Sequence, residues 1–263
     1  MRTTIKFETA VGKQRRTLES ESPEVRLSLG GIVRIELNQF EQFSQLEFLD
    51  LSNNAIEQID LGPLARQDSL RRLWLSENSL REVDLSPLAE CAGLQELDLH
   101  WNKLHGIDLT PIGSCRALRI LDTSMNDIGR LDLEPLSRTT NLESLDLADD
   151  CIDETDLTPL ASCMALRDIL MMNNPIEQLD LSPLASHDAL TYLQLDGLTL
   201  KTLDVTPLFT CGALDEFIVD DCELVITDLM EMTEAPRWLR AHRRRVTLPA
   251  GYRLDFRGHI RRR

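Results

Sequence analysis

The sequence predicts an α/β solenoid: a curved parallel β-sheet built one short strand per repeat on the concave face, with short helices or turns on the convex face. Three observations predict it. A leucine opens a new copy every 24 residues, at Leu46, Leu70, Leu94, Leu118, Leu142, Leu166, Leu190 and Leu214. Most copies run L-x-x-L-x-L-x-x-N-x-I/L-x-x-I/V/L-D-L-S/T-P-L. Within each copy the x-x-L-x-L run alternates, which is the period of a half-buried strand. Units of this length cannot bury their apolar side alone and do so by stacking on neighbours. One continuous core from about Val25 to Met232 follows.

Residues 1–21 are expected to close the front of the stack, with Thr3 to Phe7 and Gln14 to Leu18 as a hairpin. Residues 22–235 form about nine repeats, beginning with a degenerate copy from Ser22 to Gln45. Identical copies joined the same way round give parallel strands, and nine strands at roughly 4.8 Å spacing make a sheet about 38 Å across. On the return path Ser86, Thr110, Thr158, Ser182 and Thr206 stand directly before Pro87, Pro111, Pro159, Pro183 and Pro207. A hydroxyl at the cap position followed by proline at the first helical position predicts a helix start. Residues 236–263 are expected to close the rear. Pro236 to Arg245 suits a helix carrying Trp238 and Leu239, and Val246 to Phe256 suits a hairpin about Pro249 to Gly251.

Charge is divided unevenly along the chain. The last 27 residues carry ten Arg and one acidic group, a net +9, while the preceding 236 carry −25. The start, Met1 to Leu18, is polar and charged, and there is no stretch of 18 apolar residues, so the chain is expected to be cytoplasmic, with no transmembrane segment. Four of the six cysteines, Cys91, Cys115, Cys163 and Cys211, share one repeat position that Gln67, Thr139 and His187 fill elsewhere. That position reads as structural, the thiols as buried and free, and a reducing compartment follows.

The recurring leucines, with Asn54, Asn78, Asn102, Asn126 and Asn174 at one position, resemble those of leucine-rich repeat proteins. The resemblance covers nearly nine-tenths of the chain. In that family the asparagine forms a buried hydrogen-bonded ladder that satisfies turn backbone groups, and the same is implied here. The I/L-D-L-S-P-L-A half is similar to short intracellular-type and internalin-like prokaryotic repeats. Asp150, Leu198 and Cys222 depart from the asparagine position, as does Gly30 in the degenerate copy, so the ladder is expected to be interrupted.

Fold does not give function, so the variable strand positions are where chemistry is sought. The third, fifth and eighth residues of the copies place Phe48, Asp50, Arg72, Trp74, Glu96, Asp98, Trp101, Asp122, Met125, Asp146 and Tyr192 on the face away from the core. Large aromatics beside charges are how binding hot spots are made, although single tryptophans also shield neighbouring aliphatics. Asp98, Asp122 and Asp146 put three like charges on successive strands. At 4.8 Å in water each neighbouring pair repels by about 0.9 kcal/mol, which a cationic partner relieves. Arg72 and Arg119 are the alternative source of compensation. A second column, Asp60, Asp84, Asp108, Asp132, Asp156, Asp180, Asp204 and Asp228, suits the helix starts, where a carboxylate accepts backbone N–H groups. A calcium ladder there lacks the glycine-rich loops it needs.

Catalysis finds no support, because the five histidines are scattered and no phosphate-binding loop or Cys-x-x-Cys occurs. No cofactor or metal is expected. The reading is a monomeric, non-enzymatic interaction module whose concave sheet binds a protein with a basic or mixed-charge surface. The alternative places a polyanion, nucleic acid or anionic membrane, on Arg243, Arg244, Arg245, Arg261, Arg262 and Arg263, or docks that tail on the acidic body of a neighbouring molecule. Nucleic acid is disfavoured by the charge of the body.

Overall fold

A computed structural model describes residues 2–220, 222–228, 236–242 and 246–248, and the backbone of 252–254 and 260–262. The chain opens with β1 (Arg2–Thr9) and β2 (Gly12–Glu19), paired antiparallel over their full length. The degenerate copy contributes β3 (Glu24–Arg26) and β4 (Ile32–Ile35). β4 pairs with β1, so the hairpin stands against the first copy with Ile5 fully buried. The repeats then supply β5 (Phe48–Asp50), β6 (Arg72–Trp74), β7 (Glu96–Asp98), β8 (Ile120–Asp122), β9 (Ser144–Asp146), β10 (Asp168–Leu170) and β11 (Tyr192–Gln194). After β12 (Thr202–Asp204) comes β13 (Glu216–Ile218).

Strands β3, β5 to β11 and β13 form one nine-stranded sheet in order, all parallel. Register never slips: Glu24 lies beside Phe48, Phe48 beside Arg72, and so on in steps of 24 residues to Glu216. The central residue of each strand points into the core, where Val25, Leu49, Leu73, Leu97, Leu121, Leu145, Ile169, Leu193 and Phe217 are buried. The two flanking residues must therefore point to the other face.

On the return path the helices are single turns of 3-10 type, such as Ser86–Glu90, Thr110–Ser114 and Thr158–Ser162. The expected hydroxyl caps are not made; the cap position is occupied by a leucine, or by Val205 in the last of these turns. The aspartate column does that job instead. Asp60, Asp84, Asp108, Asp156 and Asp180 accept the N–H two residues on at 2.8 Å, and Asp132 and Asp204 at 2.9 Å. Hydrogen bonds from the Ser86, Thr110 and Thr158 hydroxyls, then from the backbone, hold Asp84, Asp108 and Asp156 below the usual carboxylate range. These carboxylates satisfy donors the helix cannot satisfy itself, so the column is architectural.

Two ladders stitch the copies together. Asn78 donates through Nδ2 to the carbonyls of Leu51, Leu75 and Ser76, while its Oδ1 accepts the N–H of Ile56. Asn54, Asn102, Asn126 and Asn174 repeat the pattern, each reaching 27 residues back to the preceding copy. At the cysteine position Cys91, Cys115, Cys163 and Cys211 lend S–H to a carbonyl likewise 27 residues back, at 3.2–3.3 Å. Gln67 and His187 make the same link with nitrogen, so what that position supplies is a hydrogen-bonding group rather than a thiol as such. Burial pushes Cys91 up to about 11 and Cys115 to about 12, which keeps both protonated and able to donate.

Asparagine is replaced at Asp150, which is completely buried. Its carboxylate accepts the N–H of Asn126 at 3.0 Å and the hydroxyl of Thr123 at 2.8 Å. Thr123 stands where Leu51, Leu75, Leu99 and Leu147 stand in other copies, so the two departures compensate one another. The ladder changes polarity here rather than breaking.

At the rear, β14 (Glu223–Val225) and helix α1 (Arg237–His242) follow, with Trp238 buried against Phe209 and Phe217. The anticipated hairpin is drawn differently. β15 (Val246–Thr247) joins β14 in a small parallel sheet with β12, and β16 (Tyr252–Leu254) pairs antiparallel with β17 (Ile260–Arg262). The edge of β14 offers free backbone groups that a local hairpin would have left unpaired.

Candidate functional site

The variable residues of β5 to β9, with the turns that follow, form the centre of the exposed sheet face. Every eighth residue of a copy, from Leu29, Asn53, Glu77, Trp101, Met125 and Asp149 to Asn173, has φ between 50° and 59°. This left-handed geometry suits Asn, Asp or Gly, and it costs a bulky side chain of order 1–3 kcal/mol. Trp101 nevertheless occupies it and is 61% exposed, and Met125 beside it is 46% exposed. Both are thus displayed along the same edge of the sheet, against local backbone preference.

Not all expected contact residues stand free. Phe48 is completely buried: Arg26 and Arg72 lie over its ring at 4.6 and 4.3 Å, and Trp74 meets it edge-on at 4.7 Å. Asp50 is buried as well, holding the N–H and hydroxyl of Ser52 at 3.0 and 2.6 Å. Both support the face rather than present it. Trp74 is half-buried and donates Nε1–H to Glu96 at 2.7 Å. Tyr192, also half-buried, donates to Gln194 at 2.8 Å, three strands away from Asp122. Ile120, outside the expected set, is exposed on β8 beside Glu96.

Asp98, Asp122 and Asp146 lie side by side on β7, β8 and β9. Each accepts the backbone N–H two residues on, at 3.0–3.1 Å, so aspartate here also shapes the turn after the strand. Arg72 and Arg119 do not offset the trio as expected. Arg72 pairs with Glu24 at 3.3 Å and Arg119 with Glu143 at 2.8 Å, because those glutamates lie within reach of the long guanidinium arms. Among the described ion pairs the trio's partner is His100, whose Nδ1 is 2.7 Å from Asp98 and 3.9 Å from Asp122. Burial pulls His100 down, but the Asp98 hydrogen bond and the charges of Asp98, Asp122 and Glu77 carry it above its ordinary value. Burial raises Asp122, and it raises Asp146 to about 6, with the charge of Asp122 adding to the latter. The face therefore gathers three carboxylates, two of them paired with a single histidine.

Of the arginines proposed for polyanions, Arg243, Arg244, Arg245 and Arg263 lie outside the described residues, and Arg261 and Arg262 are described in backbone only, on β17. An open cleft of about 440 Å³ beside the N-terminal hairpin, lined by Lys6, Lys13, Arg15 and Arg34 with Glu8 and Glu36, lies away from this face.

The solenoid, its asparagine ladder and its one strand per copy are those of the leucine-rich repeat fold. Residues 44–104 match the family model described as leucine rich repeat. No curated protein matches the chain. Among solved structures it is similar to internalin C2 from Listeria monocytogenes, at 28% identity and TM-score 0.63, covering 79% of this chain and 84% of that one. It is also similar to a leucine-rich repeat protein of Leptospira interrogans, at 19% identity and TM-score 0.65; that match covers 80% of this chain but only 50% of the Leptospira protein. A third likeness is the leucine-rich repeat ectodomain of the Arabidopsis thaliana membrane receptor kinase GASSHO1/SCHENGEN3, in complex with Casparian strip integrity factor 2. It has 22% identity and TM-score 0.64, over 80% of this chain and 24% of that one. Leucine-rich repeat folds commonly mediate protein–protein interaction and are generally non-enzymatic. Among the described residues no helix is long and apolar enough to cross a membrane.

Proposed function

We propose that this protein is a non-enzymatic interaction module that binds a protein partner on the concave face between β6 and β9, with residues 1–21 and 236–263 closing its ends. The observation that carries the reading is Trp101, 61% exposed on left-handed backbone beside a row of three carboxylates gathered around a single histidine. Trp101 and Met125 supply apolar anchors, Trp74 and Ile120 widen them, and Asp98, Asp122 and Asp146 select lysine or arginine on the partner. Three-residue strands in fixed register make the face rigid, so little ordering opposes binding. A monomer in the cytoplasm is the setting we assign. Its support is the set of free buried thiols, used as hydrogen-bond donors that oxidation would remove.

The test is capture from native lysate with nuclease present, wild type beside a Trp74→Ala, Trp101→Ala double variant. Proteins lost only from the variant identify the partner. Retention of the same set by both moves the site off this face, to the convex side or the arginine tail.

A further inference from the structure

We propose that Asp98, His100 and Asp122 form a binding site for one divalent cation of borderline character, Zn2+ being the representative. Among the described residues this is the group in which three such ligand atoms lie within 4.8 Å of one another. Imidazole with two carboxylates is a donor set suited to Zn2+, whereas Mg2+ and Ca2+ take oxygen throughout.

The side chains are already arranged for it. Asp98 and Asp122 are register partners on adjacent strands, and His100 follows Asp98 by two residues, so all three share one face. Ser76 Oγ holds Asp98 Oδ2 at 2.8 Å, and Ser124 holds Asp122 Oδ1 through Oγ at 2.7 Å and N–H at 3.0 Å. Asp122 Oδ2, and Asp98 Oδ1, which also accepts the His100 backbone N–H at 3.1 Å, are thereby directed toward His100 Nδ1. Such supporting bonds are what orient metal ligands. Around a tetrahedral ion with bonds of about 2.0–2.2 Å, ligand atoms stand roughly 3.3–3.6 Å apart. The two separations at the imidazole, 2.7 and 3.9 Å, bracket that value, and the two carboxylate oxygens lie within 4.8 Å of one another.

A second observation comes from the repeat itself. The position of His100 is filled by Ser28, Ser52, Ser76, Ser124 and Ala148 in five other copies, and His occurs there once, where aspartates flank it on both strands. A lysine would neutralise the charge equally well; an imidazole adds a lone pair. The ligand atoms are partly exposed, which leaves the remaining coordination positions open to water or to a partner's side chain on the concave face. The site stands whether or not that face binds protein.

The experiment is Zn2+ titration of the full chain at pH 7.5, read by calorimetry and by competition with a chromophoric chelator. A Cys151→Ser background removes the exposed thiol. One equivalent should bind, with His100→Gln and Asp122→Asn each weakening it tenfold or more and His105→Gln leaving it unchanged. Asparagine and glutamine keep the turn bonds, so far-UV circular dichroism should match the parent. Affinity unaltered by His100→Gln and Asp122→Asn overturns the proposal, as does equal displacement by millimolar Mg2+.

Discussion

Replacing Asp150 with asparagine should change stability only where the carboxyl would be charged. Burial raises this group from 3.8 to about 7, against the opposing hydrogen bonds of Thr123 and Asn126, with Asp122 and Asp146 adding to the rise. The folded chain thus keeps a proton that the unfolded chain releases between those two values. Where the folded state binds more protons, stability falls as pH rises. The loss begins near pH 4, grows by about 1.4 kcal/mol per pH unit, and is complete above pH 7 at a ceiling of about 4 kcal/mol. The asparagine amide oxygen would accept the Asn126 N–H as the Asp150 carboxylate does, and its NH2 group would turn toward Thr123. Urea unfolding followed by circular dichroism should show the Asp150→Asn midpoint well above wild type at pH 8 and much closer to it at pH 4.5. The two differences should be separated by about 3 kcal/mol, or about 1 M urea at a slope near 3 kcal/mol/M. A stability difference that is the same at both pH values would refute the assignment of the proton to Asp150.

Other substitutions separate the roles of the ladders and the face. Asn102→Leu should destabilise by about 3 kcal/mol or more, since it strands the Leu80 N–H and the carbonyls of Leu75 and Leu99; a urea midpoint within 0.3 M of wild type would contradict this. Trp101→Asn should leave stability unchanged or raise it by about 1 kcal/mol, because asparagine tolerates the left-handed backbone, while abolishing partner capture. A clear fall in melting temperature would show instead that Trp101 packs structurally. Disulfide-reagent titration of the native protein should find a single fast thiol, Cys151, and six after denaturation; a second fast thiol would mean that the cysteine column is more open than its burial indicates.

Period and alternation are sufficient to place the nine strands, because a solenoid copies one local solution and the leucines that define the copy are the ones that pack. Site geometry is only partly legible. Position in the repeat tells which side chains leave the core, yet not which neighbours cover them. Phe48 is hidden by the arginines of the preceding and following strands, and a one-dimensional pattern does not show how far a guanidinium reaches. Arg72 and Arg119 go to glutamates for the same reason. The left-handed column explains why position eight is so often Asn, Asp or Gly, and the Trp101 exception is noticeable on that ground alone. Thr123 and Asp150 carry a readable signal too: two departures from the pattern, 27 residues apart, at the spacing the ladder bonds between copies use. The rear hairpin differs from expectation because strand choice there depends on which sheet edge is free.

Those 27-residue bonds also decide how the protein yields to force. They run along the stack, from one copy to the next, so a pull on the two ends along that axis loads them a copy at a time rather than all together. Each copy that peels away releases roughly 80 Å of chain and exposes the next interface, with the Thr123–Asp150 link as a rung of reversed polarity. Across the stack, the same chain resists as a sheet. A molecule anchored at its ends would extend in near-equal steps, while one gripped through its concave face would stay stiff and keep Trp101 and its carboxylates in register.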